Sequence, residues 1–167
     1  MSDDSIFRAA SAYQSLGWTV VAIKPPSKSP ASSDWDKTTP KTPVSSLGLT
    51  ANHNIGILTG DHSNNLIDID LDADEAPFFA ASYLSDATWV FGREGRRVSH
   101  LFYYASQKIP TNRMVYSDPT TNGKVIIEIR SHNHQTMVPP SIHPNGEKLE
   151  WVVNEVPTTR ELEDLKK

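Results

Sequence analysis

In Leu66-Ile67-Asp68-Ile69-Asp70-Leu71-Asp72, apolar and acidic side chains alternate without a break from Ile67 onward. A period of two is that of a β-strand, so Ile67, Ile69 and Leu71 take one face and Asp68, Asp70 and Asp72 the other. Carboxylates aligned on one strand face repel one another and call for a compensating cation. Mg²⁺ or Mn²⁺ meets that need, because these hard ions take oxygen ligands and share them with substrate phosphates. The same pattern also fits an edge strand with an acidic face turned to solvent.

Two other segments repeat the alternation. In Lys124 to Arg130, Val125, Ile127 and Ile129 share one face, while Ile126, Glu128 and Arg130 share the other. If this strand neighbours the first, Glu128 becomes a third carboxylate ligand, enough for two metal ions that stabilise the attacking and leaving oxygens of phosphoryl transfer. Standing alone, Glu128 and Arg130 fit an exposed cross-strand ion pair equally well. In Val98 to Tyr104, His100 shares a face with Val98, Phe102 and Tyr104, and adjacency would set its imidazole beside the carboxylates. An imidazole there can donate to a triphosphate, and the arginines of the preceding basic turn, Arg93, Arg96 and Arg97, can grip phosphates through paired N–H groups. For His100 alone, a satisfied, partly buried histidine is the simpler reading.

The rest of the chain frames these strands. Ile6, Phe7, Ala10 and Tyr13 recur at helical spacing and Gly17 sits at a left-handed stop, which predicts a helix over 5–16. Trp18 to Ile23, Asn54 to Leu58 and Leu149 to Val153 read as strands, Trp89 to Phe91 as a short one, and Ala73 to Leu84 as a weaker helix with Pro77 in its first turn. From Lys24 to Pro43 the prolines and serines predict a loop. Strands outnumber helices without regular alternation, so the expected class is α+β. At 167 residues the chain suits one domain, expected over 1–157, with 158–167 as a helical tail or a linker to a further domain.

Composition closes off several functions. With no cysteine there is no disulfide scaffold, thiol nucleophile or cysteine-ligated metal site, and zinc is not expected. His53, His62, His132 and His134 fall in loop-like sequence at no standard helical zinc spacing. No apolar run is long enough to cross a bilayer, and the acidic start Met1-Ser2-Asp3-Asp4 is unlike a signal peptide, so a cytoplasmic protein without membrane contact is expected. Sixteen basic against 20 acidic residues give a net charge of -4, so nucleic-acid binding must rest on a local patch.

Taken in order, these segments resemble the bifunctional primase-polymerase (prim-pol) branch of the archaeo-eukaryotic primase superfamily. The resemblance starts with Ala12, Tyr13, Gly17, Trp18 and Val20, passes Lys28, Pro30, Trp35 and Thr38, and continues through Asn54, Ile55, Gly56, Ile57, Thr59 and Gly60. Asp68-Ile69-Asp70 resembles the family's Asp-x-Asp motif, Ser99-His100 its histidine motif and Glu128 its third acidic motif. Gln135, then Val138-Pro139-Pro140-Ser141-Ile142-His143-Pro144, Gly146 and Trp151, resemble its closing signature. The family's histidine motif often has serine two residues before the histidine, where this chain has Val98.

The resemblance implies an RRM-like antiparallel sheet carrying the metal site, beside an N-terminal α/β portion. It implies that Asp68, Asp70 and Glu128 hold two Mg²⁺ or Mn²⁺ ions and that His100 contacts the incoming nucleotide, with Arg97, Arg130, Ser99 and His143 as further phosphate or nucleotide contacts. The activity implied is template-dependent nucleotidyl transfer to a 3′ hydroxyl, with DNA template, primer and nucleoside triphosphates as partners, in replication of a prokaryotic mobile element, phage or plasmid. A helicase domain or protein would accompany it in a full-length context, and a monomer is expected. Two other functions share the residues: a metal-dependent phosphodiesterase or nuclease, and a non-catalytic nucleic-acid-binding module of the same fold.

Overall fold

The computed structural model describes residues 4–84, 87, 89–154 and 159–160. Helix α1, Asp4–Ser15, turns Ile6, Ala10 and Tyr13 inward. It stops at Gly17, whose φ of 80° lies in the left-handed region and whose added Cβ would stand 2.6 Å from the Asn64 amide. The chain then dives inward with Trp18, which is fully buried. Strand β1, Thr19–Ile23, pairs antiparallel with β2, Asn54–Leu58, which pairs in turn with β8, Gln135–Val138. Every residue of β1 and β2 is buried, in keeping with their nearly uninterrupted apolar sequences.

The second sheet has the order β6-β7-β3-β5-β4-β9. Its strands are β3, Leu66–Leu71; β4, Trp89–Arg93; β5, Arg96–Ala105; β6, Arg113–Asp118; β7, Lys124–Arg130; and β9, Leu149–Asn154. Strand β10, Thr159–Arg160, runs parallel to the end of β5. Helix α2, Ala76–Tyr83, begins with Pro77 in its first turn and is shorter than the 73–84 expected. It sets Ala76 and Ala80 against Ile67, Ile69, Leu71 and Tyr103 on one face of the sheet. The opposite face meets the small sheet through Trp18, Trp89, Phe91 and Phe102.

The fold is thus mixed α and β, with two helices and two antiparallel sheets among the described residues. Strand β3 lies between β7 and β5, so the edge-strand alternative for its acidic face is overturned. Strands β6 and β8 were not legible beforehand. Of the tail, Thr159 and Arg160 form β10, and the remainder lies outside the described residues. Among the described residues no helix is long and apolar enough to cross a membrane.

The two sheets are riveted by aromatic rings. Trp18 lies edge-on to Trp89 at 4.8 Å and to Phe102 at 5.6 Å, and within the larger sheet Phe91 meets its cross-strand neighbour Trp151 at 4.9 Å. Each such pair contributes about 0.5–1.5 kcal/mol beyond its buried area. Trp18 Nε1 donates to the Tyr104 hydroxyl at 2.9 Å, and Trp151 Nε1 donates to the Tyr13 hydroxyl at 3.0 Å, which satisfies the buried indole of Trp18 and the partly buried one of Trp151. The 138–146 signature braces β2: Ser141 Oγ accepts from the Ile55 amide at 2.9 Å, and Asn54 Nδ2 donates to the Ile142 carbonyl at 2.8 Å.

Candidate active site

Antiparallel register assembles the site. Asp70 stands directly between His100 on β5 and Glu128 on β7, and Asp68 stands between Phe102 and Arg130. Residues directly opposite in a sheet point to the same side. Alternation along β3 therefore puts Asp68, Asp70, His100, Glu128 and Arg130 on one face.

Burial makes this arrangement costly unless every charge is paired. Asp68 has no solvent exposure and Asp70 only 8%. His100 Nδ1 lies 3.1 Å from both Asp68 oxygens and 3.7 Å from Asp70 Oδ1. Arg130 reaches all three carboxylates: Nη2 to Asp70 Oδ2 at 2.5 Å, Nε to Glu128 Oε1 at 2.6 Å and Nη1 to Asp68 Oδ2 at 3.4 Å. Arg113 on β6 binds the other Glu128 oxygen at 2.6 Å, and Thr136 Oγ1 on β8 donates to Asp68 Oδ2 at 2.6 Å. Phe91 stacks on the His100 ring at 4.5 Å between centroids, which fixes its plane.

The charges shift one another in predictable directions. Burial alone would raise the Asp68 carboxyl, but His100, Arg130 and the Thr136 hydroxyl outweigh it and hold the group below its ordinary range. Burial would lower His100, yet Asp68 and Asp70 outweigh that and raise it, favouring the imidazolium. Burial opposes the charge on Glu128 too, but its hydrogen bonds from Arg113 and Arg130 bring it down to about 2. Asp72 moves the other way, raised by burial and by the nearby Asp70 charge.

The donor chemistry fits a hard divalent ion, because three carboxylates converge on adjoining strands with Asp70 and Glu128 in direct register. In this conformation the counter-cation is the guanidinium of Arg130, so an ion entering the cluster must take over carboxylate oxygens from it.

Of the residues singled out from sequence, Asp68, Asp70, Glu128, His100 and Arg130 come together, while Arg97, Ser99 and His143 do not join them. Ser99 faces the other way along β5, its hydroxyl 3.5 Å from the Phe91 carbonyl. Arg97 is exposed and lines a separate cleft with Arg93, Lys148 and Glu150. His143 Nδ1 is 2.7 Å from Asn145 Oδ1 within a turn. Sequence reading missed Thr136 and the role of Arg113. Thr136 sits on a strand of four residues, too short for its alternation to register. Arg113 opens β6, where Met114-Val115-Tyr116 is apolar at successive positions and gives no alternation to mark it.

A mixed α/β domain that sets carboxylates, an imidazolium and a guanidinium on one face of its central sheet is built to handle phosphates and the cations that accompany them. The chain belongs to the bifunctional DNA primase/polymerase, N-terminal family, whose model matches residues 9–165. The family indicates primase/polymerase activity, that is nucleotidyl transfer with DNA and nucleotides as substrates, and its enzymes generally use divalent metals. No curated protein matches the chain.

Proposed function

We propose that this chain is a template-dependent nucleotidyltransferase that extends a DNA primer by a two-metal mechanism, with Asp68, Asp70 and Glu128 as ion ligands. What carries this reading is the register Glu128–Asp70–His100 across three neighbouring strands, which aligns two carboxylates and an imidazole in one row. When bound, the divalent ions supply positive charge at the attacking and leaving oxygens. His100, with Nδ1 turned to Asp68, offers its other ring nitrogen to a triphosphate oxygen, and the raised proton affinity keeps it a donor. Arg130 is the adaptable member. With those carboxylates engaged elsewhere, its guanidinium would be free to turn to the triphosphate and hold it through paired N–H groups. The 3′ hydroxyl oxygen then bonds to the α-phosphorus, its proton passing to solvent, while the bond to the departing pyrophosphate breaks.

The catalytic unit on this reading spans residues 1–157, and replication of a mobile element, phage or plasmid is the setting that suits it. The same acidic set would serve hydrolysis, so the deciding experiment follows a labelled primer annealed to template with Mg²⁺ or Mn²⁺ and nucleoside triphosphates. Lengthening of the primer is the expected result. Shortening without extension would identify a nuclease, and an unchanged primer bound by the protein would identify a binding module.

A further inference from the structure

A second polar cluster lies outside the carboxylate site. Strand β2 leads through Gly60 into the short turn Asp61–Ser63, and His132 follows β7 on the way to β8. Gly60 has φ 78°, and a Cβ there would fall 2.8 Å from both the His132 Cα and the Ser131 carbonyl oxygen. Only glycine lets the two segments approach this closely. The turn is pinned from behind: Ser63 Oγ accepts from the Thr19 amide at 2.9 Å and donates to the Leu58 carbonyl at 2.5 Å, and Thr19 Oγ1 donates to the His62 carbonyl.

The result is that Asp61, His62 and His132 each present one ligand atom, all within 4.8 Å of one another. The two imidazoles stack with centroids 5.7 Å apart and planes 13° from parallel. His132 Nδ1 is buried and pairs with Asp61 Oδ1, which keeps these two potential ligand atoms side by side. That contact turns both side chains toward one point beside His62. The other Asp61 oxygen accepts from Lys108 Nζ at 2.7 Å, an outer contact of the sort that orients a ligating carboxylate.

We propose that Asp61, His62 and His132 form a site for one transition-metal ion of the zinc class. Two imidazoles and one carboxylate select such an ion over Mg²⁺, which prefers oxygen throughout. With bonds of about 2.0–2.2 Å, tetrahedral ligand atoms stand about 3.3–3.6 Å apart, so the wider pairs of the trio must draw in slightly and the Asp61–His132 pair must open to admit the ion. Three protein ligands leave a fourth position for water. The expectation drawn from the missing cysteines, that no zinc binds, is thereby revised: the ligands are histidines distant in sequence and joined only by the fold. The ion would tie the β2–β3 connection to the β7–β8 connection, two of the connections that join the sheets and the ones that lead into the strands of Asp68 and Thr136. This site does not depend on the polymerase reading.

The test is a Co²⁺ titration of the untagged full chain after chelator treatment and dialysis, followed by visible absorption, with Zn²⁺ added in competition. One equivalent of Co²⁺ should give tetrahedral d–d bands that Zn²⁺ abolishes, and Zn²⁺ should raise the melting temperature. The bands should persist in Asp68→Asn/Asp70→Asn and weaken at least 10-fold in affinity in His62→Gln and in His132→Gln. Absence of stoichiometric bands in the wild-type chain would overturn the proposal, whatever the variants do. So would unchanged binding in both histidine variants, or bands lost only when Asp68 and Asp70 are replaced.

Discussion

Replacing Arg130 with methionine tests the electrostatics of the site more sharply than removing any carboxylate. Methionine keeps most of the side-chain length and removes the charge, leaving Asp68, Asp70 and Glu128 buried and without the cation that contacts each of them at 2.5 to 3.4 Å. Breaking a buried ion pair by deleting one partner costs about 3–5 kcal/mol, and Arg113 and His100 remain to blunt the loss, which argues for the lower end. At roughly 2–4 °C per kcal/mol for a domain of this size, the melting temperature should fall by about 6–12 °C at neutral pH. Mn²⁺ should then raise the melting temperature of the variant more than that of wild type, because an ion can occupy the place that the guanidinium has left. The pH dependence has a definite sign. Glu128 is held down to about 2, so its stabilising contribution is present above the ordinary carboxylate range and is lost as the pH falls toward 2. The gap between wild type and variant should therefore narrow in acid. Circular dichroism melts at several pH values, with and without Mn²⁺, measure all of this. A fall of less than about 2 °C at neutral pH, or a gap independent of pH, would refute the claim that Arg130 compensates the cluster.

Other outcomes follow from the same contacts. His100→Ala should weaken nucleotide use by the value of a charge-assisted hydrogen bond, roughly 10- to 150-fold, measured as kcat/KM for incorporation, with Ser99→Ala affecting it less because Ser99 faces away. Trp18→Ala removes the fully buried ring that joins the two sheets and should cost about 3–5 kcal/mol in denaturant unfolding. DNA binding by the chain should be modest and salt-sensitive, because the net charge is -4 and four of the basic side chains that could meet phosphates are already paired: Arg93 with Glu147, Arg96 with Asp74, Lys108 with Asp61 and Arg113 with Glu128. Anisotropy titrations at several salt concentrations should give a shallow slope, about 0.7 to 0.9 per phosphate contact, and nanomolar binding insensitive to salt would contradict it.

Strands β3 and β7 were legible to the residue because alternation of isoleucine with charge leaves one possible pairing of faces. The same alternation put His100 on one face with Phe102 and Tyr104, and set it beside the carboxylates only on condition that the two strands adjoin. Nothing local could say whether β3 was central or at an edge, since that depends on which strands find it across long loops. Burial of both faces is what turns Asp68 from a solvated charge into one that needs His100, Arg130 and Thr136 at once. Arg97 and Ser99 were drawn toward the site by their neighbours in sequence, yet in a strand the adjacent residue points to the opposite face. The Asp61–His62–His132 cluster was invisible for a different reason. Its ligands come from separate loops, and Gly60 announces only that some backbone must pass close by.

The most direct test of the central claim is primer extension by Asp68→Asn/Asp70→Asn compared with wild type, at equal concentrations of folded protein and with Mg²⁺ or Mn²⁺. These replacements keep the volume of both side chains, and Thr136 can still donate to the amide oxygen at position 68, so the fold should persist and circular dichroism should show it. With the ion ligands gone, nucleotide incorporation should be abolished under conditions where the wild-type chain lengthens the primer. Incorporation retained by the folded double variant at a rate near that of wild type would contradict the account.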